Sequence, residues 1–327
     1  MIYDCFSFFN ELDLLEIRLR TLSDVVDRFV LAESRYTHTG NPKPLYYQEN
    51  AARFAAFADR IIHVVAPDPD DLRYDANDQR PSWVRENAQR NATIDAILPQ
   101  LEDDDLLIVS DLDEIPAPDA VRAARRIGRP VLFRQKMYYY FANCRNCTDP
   151  FWYGSVALAF RDFKDPRTYR RIKTGVAFPS TRLAAPSASK VRALRGIRVL
   201  RNGGWHFSYL GGVSRIREKL DSIVEGGIAG SISDTFIADC IARGDDIYHR
   251  GERYFAERMA RGFPAALADF PSLVYPVDAA YLRRVRLSRL LAYGKWLLRC
   301  SRQLVRPIAR LVLPKPAAAW LARAVNR

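Results

Sequence analysis

The chain has 327 residues, 48% hydrophobic and 27% charged, which argues against a disordered or collagen-like protein and supplies ample material for a core. Its net charge is +12, but 12 of the 50 basic residues lie in 281–327 and no acidic residue follows Asp278, so residues 1–280 carry 38 basic and 38 acidic residues. A neutral body with a basic end argues against a nucleic-acid binder, whose cations spread over a folded face.

The five cysteines are odd in number, and Cys144 to Cys147 is the only Cys-x-x-Cys, so neither a disulfide framework nor a zinc ribbon is expected. The start lacks a basic n-region and carries Asp4, and no run of 18 apolar residues occurs. No signal peptide or transmembrane helix is expected, and the expected compartment is the cytoplasm.

Ile2 to Phe9 is apolar and aromatic and reads as a first strand, closed by Asn10 and Glu11. Leu12, Leu15, Leu19 and Leu22 then mark a helix face. Phe29 to Ala32 is a second strand with Glu33 at its end, and Ile61 to Val65 a third. Residues 83–98 read as a helix with Trp83, Asn87, Arg90 and Ile94 on one face. The stretch Leu106-Leu-Ile-Val-Ser-Asp-Leu-Asp-Glu-Ile-Pro116 is a buried strand running into three carboxylates. This alternation predicts an α/β domain over 1–280 with a mostly parallel sheet flanked by helices. Strands are also expected at Val131–Arg134, Tyr138–Phe141 and Ser155–Phe160, a loop at Pro186–Lys190, and helices at Arg215–Val224 and Asp234–Ala242.

Ligands of open α/β sheets sit beyond the carboxyl ends of the strands. Asn10, Glu11, Glu33, Asp111 and Asp113 should gather there, with Arg90 and Asn91 on the helix leading into the fourth strand. Asp111 and Asp113 are two apart, so an extended segment points both to one side. Such oxygen ligands suit Mg²⁺ or Mn²⁺ shared with substrate phosphates. His206 follows Gly203 and Gly204, which allow close backbone approach, and is expected to complete the metal site or touch a diphosphate.

Five ordered segments resemble glycosyltransferase family 17: Ile2 to Leu19, Ala32 to Leu45, Arg85-Glu-Asn-Ala-Gln-Arg-Asn91, Ser110-Asp-Leu-Asp-Glu-Ile-Pro116 and Gly203-Gly-Trp-His-Phe-Ser208. The resemblance covers roughly residues 1–255. It implies a GT-A-type, Rossmann-like fold, a divalent metal at Asp111 and Asp113, Glu33 near a uracil, and inversion at the anomeric carbon. It also implies a UDP-sugar donor, N-acetylglucosamine foremost, with a glycan or glycolipid acceptor. Ser222 to Ile228 departs from the family's pattern where the acceptor would bind. Inversion needs a carboxylate base, for which Glu114, Asp162, Glu225 and Asp234 are the candidates. The competing reading is a metal-dependent phosphotransferase or nucleotidyltransferase using the same carboxylates.

Residues 281–327 are expected to form a basic tail, with an amphipathic helix over 281–310 on an anionic membrane surface. Arg299, Arg302, Arg306 and Arg310 share one helix face, and Pro307 should kink or end the helix.

Overall fold

A computed structural model of the chain describes residues 1–72, 81–163, 197–222, 232–259 and 262–312. Four parallel strands form its centre: β1 (Ile2–Ser7), β2 (Arg28–Glu33), β3 (Ile61–Val65) and β4 (Leu106–Asp111), in the order β3-β2-β1-β4. Ser7 lies level with Ala32 and with Asp111, and Glu33 with Val65, so the carboxyl ends of all four strands meet at one edge.

Alternation within β1 assigns its two faces. Phe6 packs with Leu15 and Leu19 of α1 (Leu12–Leu22), whereas Tyr3 and Cys5 pack with Ile94 of α2 (Pro81–Asp95). Burial on both sides explains why these strands read as nearly unbroken apolar runs. Gln89 of α2 donates from Nε2 to the carbonyls of Phe8 (2.9 Å) and Ala32 (2.8 Å), tying the ends of β1 and β2 together.

Beyond β4 the sheet becomes mixed. β5 (Glu114–Pro116) precedes α3 (Pro118–Ile127), which starts with proline and stops at Gly128 in the left-handed region (φ 65°). β6 (Val131–Tyr139) then pairs antiparallel with β7 (Cys144–Asn146), β8 (Phe151–Trp152) and β9 (Val156–Ala159), and β9 returns antiparallel to β4. β6 is one continuous strand where two shorter ones were expected. β10 (Arg198–Ser208) runs parallel to β6 and antiparallel to β5, and β11 (Tyr254–Ala256) closes on β7. Cys144 and Cys147 are buried free thiols there.

A second core joins Tyr139 and Tyr140 to Ile216 and Leu220 of α4 (Gly212–Ser222) and Ile237 of α5 (Asp234–Arg243). The loop expected at Pro186–Lys190 lies outside the described residues. The chain ends in α6 (Ala279–Val312), whose Val285 and Ala292 pack on Cys147 and Phe255 while Trp296 meets Phe151 edge-on at 6.2 Å. The start of the expected tail is thus docked on the body, and the helix continues past Pro307 to Val312. No helix among the described residues is long and apolar enough to cross a membrane.

Candidate active site

The turn after β4 is built around Arg18, a side chain with no exposure on the sheet-facing side of α1. It makes a double contact with Asp4 of β1, Nε to Oδ2 at 2.8 Å and Nη2 to Oδ1 at 2.6 Å. Its Nη1 donates to the carbonyls of Asp111 (3.0 Å), Leu112 (3.0 Å) and Glu114 (2.8 Å), and Nη2 to Ser110 Oγ (2.5 Å). A buried guanidinium that satisfies three of the four carbonyls from Asp111 to Glu114 fixes where the Asp111 and Asp113 side chains emerge.

Each of those carboxylates meets a cation. Arg90 of α2 holds Asp111 in a fork, with Nη2 at 2.8 and 2.9 Å from its two oxygens, and also bonds Glu86 at 2.9 Å. Burial works against the charge on Arg90, but Asp111 and Glu86 outweigh it and raise its pKa above the ordinary value. Lys219 of α4 lies 3.0 Å from Asp113 Oδ2 and 3.5 Å from Glu11 Oε1. Burial alone would raise the Asp113 pKa, yet Lys219 and His206 hold it well below the usual carboxylate range.

His206 is the register partner of Glu114 across β10 and β5, so both belong to this corner. Its Nε2 lies 3.5 Å from Asp113 Oδ1, its ring packs on Trp152 with centroids 4.4 Å apart, and its buried Nδ1 has no hydrogen-bond partner among the described residues. The glycines before it serve the sheet, where a ligand approach was expected. A Cβ on Gly204, at φ +123°, would stand 2.1 Å from the Ile115 carbonyl, so β10 can close on β5 only without one.

Glu114 is buried, with Trp152 Nε1 donating to Oε1 and the Asp111 amide to Oε2 at 3.3 Å. Burial, then the charges of Asp111 and Asp113, push its carboxyl up to about 7 from 4.5. A carboxyl raised on folding favours the folded state fully below pH 4.5 and loses that contribution as pH rises through 7. The melting temperature should therefore fall across that window. Glu114→Gln should flatten the fall, which amounts to on the order of 3 kcal/mol. Thermal denaturation of both proteins from pH 4 to 8 tests this, and parallel curves would refute it.

Other expected residues are distributed differently. Asn10 is buried on the turn after β1, with its amide on Glu11 Oε2 at 3.2 Å, and Asn91 is half-buried beside Arg90. Glu33 is buried with both oxygens engaged, accepting from the Tyr47 and Gln48 amides at 3.1 Å and meeting His63 Nε2 at 2.8 Å. It caps the turn that starts at Tyr46, which leaves nothing of it facing a base.

Asp234 also departs from expectation: it is exposed and pairs with Arg217 at 2.9 Å. Arg217 is two residues, about 200°, around α4 from Lys219, so this pair faces away from Asp113. Asp162 follows Ala159, which pairs with Leu106 at the start of β4, placing it at the opposite end of the sheet. Glu225 lies outside the described residues.

The oxygen donors of Asp111 and Asp113 suit a hard divalent cation held largely by substrate phosphates. Among the described residues no three His, Cys, Asp or Glu side chains form a metal cage. His206 therefore stands beside Asp113 without joining a third ligand to the pair. Lys219, Trp152 and Arg18 were not singled out from sequence. Lys219 is one of several cations on its helix, whereas Arg18 left a trace, a charge on an otherwise leucine-lined face.

A mixed sheet with a parallel centre, carboxylates and cations at its carboxyl edge and flanking helices is consistent with an α/β glycosyltransferase-like domain. The chain belongs to glycosyltransferase family 17, whose profile matches residues 1–175. Over 117 residues it is 33% identical to the human and rat β-1,4-mannosyl-glycoprotein 4-β-N-acetylglucosaminyltransferases and 32% to the mouse protein. That alignment covers 34% of this chain and 21% of each relative, so the match spans about a fifth of their length.

Proposed function

We propose that this enzyme transfers N-acetylglucosamine from its UDP donor to a hydroxyl of a glycan or glycolipid acceptor, with inversion. The observation that carries the reading is the edge formed by Asp111, Asp113, Arg90 and Lys219 at the carboxyl end of β4. Two cations and two carboxylates in one place suit a diphosphate and its counter-ion. The activity for which the mammalian relatives are named supports the sugar and suggests a mannose of a glycoprotein as one acceptor.

In the transfer, the acceptor oxygen forms a bond to the anomeric carbon from the face opposite the phosphate. The anomeric carbon–oxygen bond to UDP breaks, and its electron pair leaves with the diphosphate. Arg90 and Lys219 stabilise the negative charge that develops there. Asp111 and Asp113 would hold Mg²⁺ or Mn²⁺, which supplies Lewis-acid stabilisation to the leaving diphosphate when bound. The acceptor proton passes to a carboxylate. Glu114 is the candidate at this end of the sheet, with a pKa near the working pH.

Release of UDP from UDP-N-acetylglucosamine in Mn²⁺, with and without EDTA, tests the reading. Turnover should vanish in EDTA and return with excess Mn²⁺. Undiminished turnover in EDTA removes the metal, and release from ATP but from no sugar nucleotide favours a nucleotidyltransferase.

The same proposal places the protein on an anionic membrane through α6. Leu287, Leu290, Leu291 and Leu297 are 58–67% exposed. At 100° per residue they share a stripe roughly opposite Val285 and Ala292. Exposed Arg283, Arg284, Arg286 and Lys295 accompany the stripe, each contributing about 1 kcal/mol near anionic lipid. The side chains of Arg299, Arg302, Arg306 and Arg310 lie outside the described residues.

Replacing Leu287, Leu290 and Leu291 together by serine should reduce sedimentation with phosphatidylglycerol vesicles by about 100-fold in affinity. Donor hydrolysis should be unaffected. If the parent chain ignores such vesicles at low salt, the stripe has another use.

A further inference from the structure

We infer that the cavity bounded by β6, β8, β10 and the 248–252 segment is a subsite for one pyranose ring, whose hydroxyls complete the hydrogen bonding of Tyr139 and His206. The inference rests on the glycosyl-transfer reading and adds a place for a sugar. The cavity is about 170 Å³ and its lining includes Tyr139, Trp152, His206, Tyr209, Tyr248 and Arg250.

Two buried polar atoms in that lining, Tyr139 Oη and His206 Nδ1, have no hydrogen-bond partner among the described residues. Tyr139 is 2% exposed and His206 is 5% exposed. Such orphaned atoms are uncommon in folded proteins and point to something that completes them. A single trapped water needs only about a tenth of this volume, so the space suits a larger polar molecule.

The walls specify which kind. Trp152 packs against His206, the hydroxyls of Tyr209 and Tyr248 bond each other, and Phe151 joins them, so aromatic side chains make up about half of the lining residues. Aromatic faces carry negative quadrupole density and attract the C–H edges of a sugar ring. The one cation in the lining is already matched: Arg250 bonds both oxygens of Asp246, at 3.0 and 3.1 Å, and lies 3.7 Å from Glu252. Asp149 and Glu252 also line the space and would repel a phosphate, whereas a neutral polyhydroxy ring finds aromatic side chains beside polar ones.

Position agrees with this. His206 lies 3.5 Å from Asp113 through Nε2 and is itself part of the cavity lining, so the space adjoins the proposed diphosphate edge. A ring seated there is either the donor's sugar or the acceptor unit that attacks it.

Tyr139→Phe removes an oxygen that bonds no other described residue, so the melting temperature should not fall. Calorimetry on the full chain with UDP, UDP-N-acetylglucosamine and methyl α-mannoside reads the effect, with Tyr248→Ala as a second variant. UDP should bind all three proteins equally. If the ring is the donor's, UDP-N-acetylglucosamine loses about tenfold in affinity in Tyr139→Phe. If it is the acceptor's, the donor is unaffected and methyl α-mannoside, titrated with UDP present, loses the tenfold instead.

Unchanged affinity of both sugar probes in both variants overturns the subsite, as does a parent chain that binds neither probe. A parent chain that binds the mannoside through Tyr139 but does not bind UDP keeps the subsite and removes the proposed donor.

Discussion

Replacing Arg18 by alanine should destabilise the protein by about 3–5 kcal/mol, a large part of the stability of an ordinary domain. The cause is Asp4, which would remain fully buried with its counter-charge gone. The turn would suffer as well, because the carbonyls of Asp111, Leu112 and Glu114 all bond Arg18 Nη1. These two consequences separate experimentally. Replacing a whole buried ion pair by apolar residues of similar volume is often neutral for stability, so Asp4→Leu combined with Arg18→Met should refold most of the way. Donor hydrolysis should stay low, since a methionine donates to none of the three carbonyls. Urea denaturation and UDP release on the single and double variants check both halves. Recovery of activity along with stability would mean that Arg18 merely fills the core.

Legibility followed the physics of each signal. β1 to β4 could be read because strands buried on both faces are apolar along their whole length. Asp111 and Asp113 stood out because carboxylates directly after such a strand demand an explanation. The same reasoning overreached at Glu33. A strand-end carboxylate can equally well cap a following turn, and here it accepts from the Tyr47 and Gln48 amides. Asp234 failed for another reason: a residue's spacing within its own helix does not say which face looks at the site, and it pairs with Arg217. Gly203 and Gly204 were read as room for a ligand and instead let β10 close on β5 and β6. Asp4 within an apolar strand and Arg18 on a leucine-lined helix were the overlooked pair. Two opposite charges in segments that must both be buried are best explained by each other. Lys219 left no such mark, since nothing local distinguishes a lysine that crosses to Asp113 from one that faces water.

Asp113→Asn should lower turnover of the donor by about 10²–10³-fold, the scale of losing one electrostatic stabiliser of a developing charge. Asparagine is the better test than alanine because Asp113 is 8% exposed, contrary to a position simply at the open edge of the sheet, and a void would confuse the result. The amide keeps the shape and removes the charge that a divalent cation and Lys219 both require. Lys219 retains Glu11 at 3.5 Å, so the variant should fold. Its carboxylate pKa gives a further readout: because Lys219 and His206 hold it well below 3.8, the parent draws stability from this group above that pH and loses it on acidification. The variant should therefore be less stable than the parent at pH 7, and the gap should begin to narrow only as the pH falls below 3.8. Lys219→Met separates the two partners. If Asp113 serves the metal, Lys219→Met keeps Mn²⁺-dependent quenching of tryptophan fluorescence in the presence of UDP, whereas Asp113→Asn loses it. If both variants bind Mn²⁺ and UDP as the parent does, Asp113 is a partner for Lys219 alone and the metal site lies elsewhere.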